Sequence, residues 1–93
     1  MYIKDGIVYA GNTSPEIRIC GVRPLDGHRL WVRFNNGEAK IYDFSHLLER
    51  PAFAPLKNET VFKEVYIDYG VPVWQDGEID IAPEELYENG TPA

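Results

Sequence analysis

The chain has 93 residues, 10.6 kDa, 44% hydrophobic and 26% charged, which suffices for one small domain with its own core and excludes two. The lone Cys20 excludes an internal disulfide framework, and without an apolar run of about 18 residues there is no helical membrane span, so a cytoplasmic location is expected. The formal net charge of −6 is uneven: residues 1–50 sum to +1 and residues 51–93 to −7, an acidic half that repels phosphate backbones and suits a basic protein partner.

In chain order, the turn signals Asp5-Gly6, Asp26-Gly27, Asn36-Gly37 and Asp76-Gly77 separate runs rich in β-branched and aromatic residues, with Tyr69-Gly70 a weaker fifth. Strands are expected near Tyr2–Ile3, Ile7–Tyr9, Ile17–Pro24, Arg29–Phe34, Glu38–Asp43, Glu64–Asp68, Val71–Trp74 and Ile79–Asp80. Pro72 cannot donate to a ladder, which predicts that its strand begins there or lies at an edge. Ser45 caps a short helix that Pro51 stops, Asn58 caps a turn over Glu59 to Phe62, and Asp80 and Pro83 start a last helix ended by Asn89-Gly90. The expected fold is α+β: mainly antiparallel hairpins in a meander with two or three short helices. It forms a single domain over 1–93, with a core at 16–88, an N-terminal hairpin at 1–10 and a frayed tail at 90–93.

A two-residue turn at Asn36-Gly37 would pair Phe34 with Ala39, Arg33 with Lys40, Val32 with Ile41 and Trp31 with Tyr42. One face then holds Leu30, Val32, Phe34, Ala39 and Ile41, an ordinary core face. The other holds Arg29, Trp31, Arg33, Lys40 and Tyr42. Aromatics interleaved with basic residues are found on protein-interface hot spots and on nucleic-acid surfaces, and the acidic total favours protein. The plain structural alternative is a half-exposed stabilising pair covered by Arg stems.

An acidic patch is expected from Asp76, Glu78, Glu84, Glu85 and Glu88, but no calcium-loop spacing accompanies it. His28 and His46 stand in no metal-ligand spacing with Cys20, His28 reads as a solvated turn residue, and Cys20 reads as a small buried hydrophobe with an inert thiol. No catalytic motif, metal site or cofactor is therefore expected.

The run Leu30-Trp31-Val32-Arg33-Phe34-Asn35-Asn36-Gly37-Glu38, followed by Tyr42-Asp43 before Leu47-Leu48, Phe53-x-x-Leu56, Phe62, Val65-x-Ile67-Asp68, Val73-Trp74 and Asp80-Ile81-Ala82-Pro83-Glu84-x-Leu86-Tyr87, resembles the domain-of-unknown-function 2442 family. The resemblance runs from about Arg18 to Glu88 and implies a small bacterial α+β protein. It brings no catalytic residue with it. Members look like products encoded beside a second small protein, which implies an antitoxin-like, partner-binding role. Some members add a helix-turn-helix domain, for which this sequence has no room. The expectation is a non-enzymatic protein-interaction module with a small, basic protein partner, its exposed strands also able to pair two copies as a homodimer. The alternative is an accessory nucleic-acid binder using Arg29, Trp31, Arg33 and Lys40.

Overall fold

The computed structural model describes residues 16–93. The N-terminal hairpin expected at 1–10 lies outside the described residues. The rest is mixed α+β, built on two antiparallel sheets.

Strands β1 (Ile19–Leu25), β2 (Arg29–Phe34) and β3 (Ala39–Asp43) form a meander, and β7 (Thr91–Pro92) joins the far side of β3, in the order β1-β2-β3-β7. The second sheet places β5 (Val71–Trp74) between β4 (Tyr66–Asp68) and β6 (Ile79–Asp80). Two short helices, α1 (Glu59–Phe62) and α2 (Pro83–Asn89), and 3-10 turns at Ser45–Leu47, Pro51–Lys57 and Gln75–Gly77 complete the chain. Asn58 caps α1 as expected, its side-chain oxygen accepting the Thr60 N–H at 2.9 Å. Asp80 does not cap α2: the N-cap is Ala82, with no side-chain hydrogen bond, because Asp80 is held in β6 opposite Val73.

The central hairpin departs from the expected register by one residue. Gly37 N–H donates to the Phe34 carbonyl at 2.9 Å and Phe34 N–H to the Glu38 carbonyl at 2.8 Å, so the loop is the three-residue Asn35-Asn36-Gly37. Of the two residues that a type I′ turn would hold at positive φ, only Gly37 is there, at +93°. Asn35 fixes this choice, because it is tied to the chain before β1. Its side chain accepts the Arg18 N–H at 3.1 Å and donates to the Glu16 carbonyl at 2.7 Å. The pairs are therefore Arg33 with Ala39, Val32 with Lys40, Trp31 with Ile41, and Leu30 with Tyr42. A one-residue slip exchanges the faces of a whole strand. Tyr42 and Lys40 accordingly lie on the core side of β3, and Ile41 and Ala39 join Trp31 on the opposite side.

Buried on the core side are Leu30, Val32, Phe34 and Tyr42, packed with Phe44, Leu47, Leu56, Phe62, Trp74, Ile79, Ile81 and Leu86. Phe44 is the hub: its ring meets Tyr42 at 5.2 Å, Phe62 and Trp74 at 5.5 Å each and Phe53 at 6.2 Å, all near edge-to-face. Trp74 is fully buried and donates its indole N–H to the Phe62 carbonyl at 2.9 Å, tying β5 to the end of α1.

Pro72 sits in a central strand, neither at its first residue nor at an edge. Next to a two-residue turn, the second cross-strand pair is non-hydrogen-bonded, so the Pro72 nitrogen faces away from β4. On its other side it faces Ile81, whose N–H donates to the Pro72 carbonyl at 3.4 Å, so the proline omits only the return bond to Ile81, just past the end of β6. The residues expected to fray also pair: Thr91 and Pro92 lie opposite Ile41 and Lys40.

The β4–β5 turn holds Tyr69 at φ 51° and Gly70 at φ 79°. A tyrosine in the left-handed region is strained, and this one is 94% exposed, so packing returns nothing for it. Tyr69→Asn is expected to stabilise the fold by about 0.5–1 kcal/mol, read as a raised urea midpoint at unchanged m-value.

Candidate interaction surface

The face of the four-stranded sheet opposite the core is built in cross-strand rows. The central row is Arg23, Trp31, Ile41 and Thr91; one neighbouring row is Gly21, Arg33 and Ala39, and the other is Leu25, Arg29 and Asp43. Trp31 is half-buried. Its ring lies where a side chain on Gly21 would begin, 3.5 Å from that position, and the Arg23 guanidinium stands 5.6 Å from the ring centroid. The indole thus lies across β1 at Gly21, at ordinary contact distance, while Arg23 covers it by a cation–π contact. Arg29 donates its Nε to the Asp26 carbonyl at 2.9 Å and lies opposite Asp43. The Ser45 N–H, donated to Asp43 at 2.8 Å, holds that carboxyl below its ordinary range.

Of the five residues expected to share a face, Arg29, Trp31 and Arg33 do so, and Lys40 and Tyr42 point to the other side. Arg23 takes the place expected for them. Only the β1–β2 register brings it beside Trp31. The expected like-charge pair of Arg33 and Lys40 does not form, since Arg33 faces Ala39. The Lys40 ammonium instead donates to the Tyr87 carbonyl and stands 4.2 Å from the Tyr87 ring centroid, fastening α2 to β3. Tyr87 in turn donates to Glu38 at 2.8 Å.

The acidic residues sit in different settings. Asp76 and Glu78 are exposed at the left-handed turn after β5, and Glu84 and Glu88 are exposed on α2. Glu84 lines an open groove of about 360 Å³ with Glu16, Ile17, Val71, Asp80 and Ile81. Glu85 turns inward and accepts the Tyr42 hydroxyl at 2.7 Å. Cys20 is exposed rather than buried, because the ladder slips between Ile19 and Gly21 and leaves it as the extra residue of a bulge. His28 is not a solvated turn residue: its ring packs edge-on to Phe62 at 5.2 Å, and its Nε2 is buried with no hydrogen-bond partner among the described residues.

Tyr42, His46 and Glu85 form a polar cluster, and its protons are accounted for. Because the Tyr42 hydroxyl donates to Glu85, the His46 Nε2 at 3.3 Å must bring its own hydrogen to the phenol oxygen. Burial first, and the Glu85 carboxylate second, push the phenol well above its ordinary value of 10.0. A phenol held protonated in this way is a clasp for α2, not a base.

The clasp makes alkaline stability testable. Above about pH 10 the unfolded phenol releases a proton that the folded one keeps, so stability falls as pH rises from there. Tyr87, raised by its hydrogen bond to Glu38, adds to this slope from the surface. Urea unfolding at neutral and alkaline pH is expected to show a shallower alkaline loss for Tyr42→Phe. That variant also costs about 1–2 kcal/mol at neutral pH by leaving Glu85 without its donor.

Among the described residues no group of three His, Cys, Asp or Glu side chains is placed to hold a metal ion, and no helix is long and apolar enough to cross a membrane. The fold and surface define a small α+β domain with a meander sheet, one face on the core and the other presenting arginines around a tryptophan. The chain belongs to the family described as protein of unknown function DUF2442, whose sequence model matches residues 19–92. No curated protein and no solved structure matches it.

Proposed function

We propose that this chain is a non-enzymatic protein-interaction module of the bacterial cytoplasm, acting as the antitoxin-like, neutralising member of a two-protein pair. The observation that carries the reading is the Trp31 face: an indole with Ile41 and Ala39 beside it, framed by Arg23, Arg29 and Arg33, on the side of the sheet away from the core. Tryptophan and arginine are the residue types that concentrate binding energy at protein interfaces, above all where apolar ground surrounds them. The polar groups nearest to an enzyme-like cluster are committed to holding α2 in place, which leaves the sheet face as the better-equipped surface. The acidic groove at Glu16, Asp80 and Glu84 offers a second, smaller contact for basic groups of the same partner.

The test is copurification of the tagged full chain from its native host, with mass spectrometry and molar mass of the eluted complex. One small protein in fixed stoichiometry, lost on Trp31→Ala while the fold is retained, is the expected result. A homo-oligomer with no second protein overturns it.

A further inference from the structure

The Trp31 face carries a local charge opposite in sign to that of the chain. Among the described residues neither Arg23 nor Arg33 has an ion-pair partner, and their cross-strand neighbours Trp31, Gly21 and Ala39 are uncharged. Asp43 is the one carboxylate in these rows, and the Ser45 N–H already engages it. Along β2, Arg29 and Arg33 stand two residues to either side of Trp31 on the same face. At about 3.3 Å per residue their Cα atoms are roughly 13 Å apart, with Trp31 midway.

We propose that this face docks a protein segment that presents acidic side chains on both sides of an apolar one, spaced to meet Arg29 and Arg33 about Trp31. The proposal rests on the reading of the chain as an interaction module and names the chemistry of its partner at this surface. Net charge alone points to a basic partner, but charges beyond a Debye length of about 8–10 Å are largely screened, so a docked segment meets the arginines and not the distant acids. Arginine's planar fork also suits carboxylates, which it can hold through two parallel hydrogen bonds. A protein segment fits better than a nucleic acid, because single-stranded binding needs an open π-face on which a base can stack. Here the guanidinium of Arg23 covers the ring and Gly21 lies against it.

Tryptophan fluorescence of the full chain tests this. Trp74 is fully buried, so Trp31 is the fluorophore that a ligand on the sheet face can reach. The probes are a short capped peptide alternating Glu and Leu, the same peptide with Lys for Glu, and an oligothymidine of similar length. A saturable emission change is expected with the Glu peptide, weakened about tenfold by the double substitution Arg29→Gln and Arg33→Gln and weakened again by added salt. Both arginines are exposed, so circular dichroism of the double variant should match that of the unsubstituted chain. No saturable change with the Glu peptide, or equal binding of the Lys peptide, overturns the proposal. Tighter binding of oligothymidine overturns it in favour of a nucleic-acid surface. A natural partner that copurifies undiminished with the double variant removes the acidic-segment assignment and leaves the interaction module standing. A Glu-peptide response in a chain that copurifies with nothing removes the two-protein pair and leaves the face chemistry standing.

Discussion

Trp74→Ala is expected to cost about 3–5 kcal/mol, a large part of the roughly 5–14 kcal/mol available to a domain of this length. Three separate losses add at this position. The indole is fully buried, and its removal opens a cavity beside Phe44 at 5.5 Å and Phe62 at 6.0 Å, the latter stacked at 26°. The hydrogen bond to the Phe62 carbonyl disappears, so β5 is no longer fastened to α1. Phe44, which four other aromatic rings use as a common neighbour, loses one flank. Trp74→Phe separates these terms, because it keeps most of the packing and drops the hydrogen bond, for an expected cost of about 1–3 kcal/mol. Urea unfolding of the two variants measures the difference. Equal midpoints for Trp74→Ala and the unsubstituted chain would contradict the placement of Trp74 in the core.

The second large effect is at α2. Leu86→Ala is expected to cost about 2–5 kcal/mol, since Leu86 is the fully buried anchor of a seven-residue helix. A helix so short has little stability of its own and depends on tertiary contact. What remains after the substitution is the buried Pro83, the edge-on contact of Tyr87 with Phe34 at 5.0 Å, and three polar ties: the Tyr42–Glu85 bond, the Lys40 bond to the Tyr87 carbonyl, and Tyr87 to Glu38. The loss is expected to be local first. Native-state hydrogen exchange should show faster exchange in α2 and at the β3–β7 ladder, while amides of β1 and β2 keep most of their protection. Uniform loss across both sheets would mean that α2 is part of the global folding unit.

The strands were readable where alternation and turn chemistry agreed. β2, β5 and β6 fall at Arg29–Phe34, Val71–Trp74 and Ile79–Asp80, the spans that the flanking Asp-Gly, Asn-Gly and Tyr-Gly signals bracket. Asn58 and Pro83 likewise mark the starts of α1 and α2. The register of the central hairpin was not readable, because Asn36-Gly37 serves a two-residue or a three-residue loop equally well. The choice is made by Asn35 reaching Glu16 and Arg18, residues 17 to 19 positions away in the chain. That tertiary contact sets which side of the sheet Tyr42 and Lys40 occupy, and hence two of the five residues of the expected binding face. Cys20 is exposed for a related reason. Its apolar neighbours indicated burial, while the bulge between Ile19 and Gly21 is set by pairing with β2. Arg23 could be found only once β1 and β2 were aligned.

The short strand β7 has a consequence for how the protein behaves in concentrated solution. Thr91 and Pro92 occupy the side of β3 that would otherwise offer the unpaired backbone of Lys40 and Ile41 to any extended chain nearby. Proline suits that station, since it has no N–H with which to recruit a further strand. Removal of residues 91–93 is expected to change the monomer's melting little and to promote aggregation instead, visible as light scattering that grows with protein concentration. Strand β7 is thus a guard on colloidal stability, and a fusion or tag joined directly after Ala93 would sit against that guard.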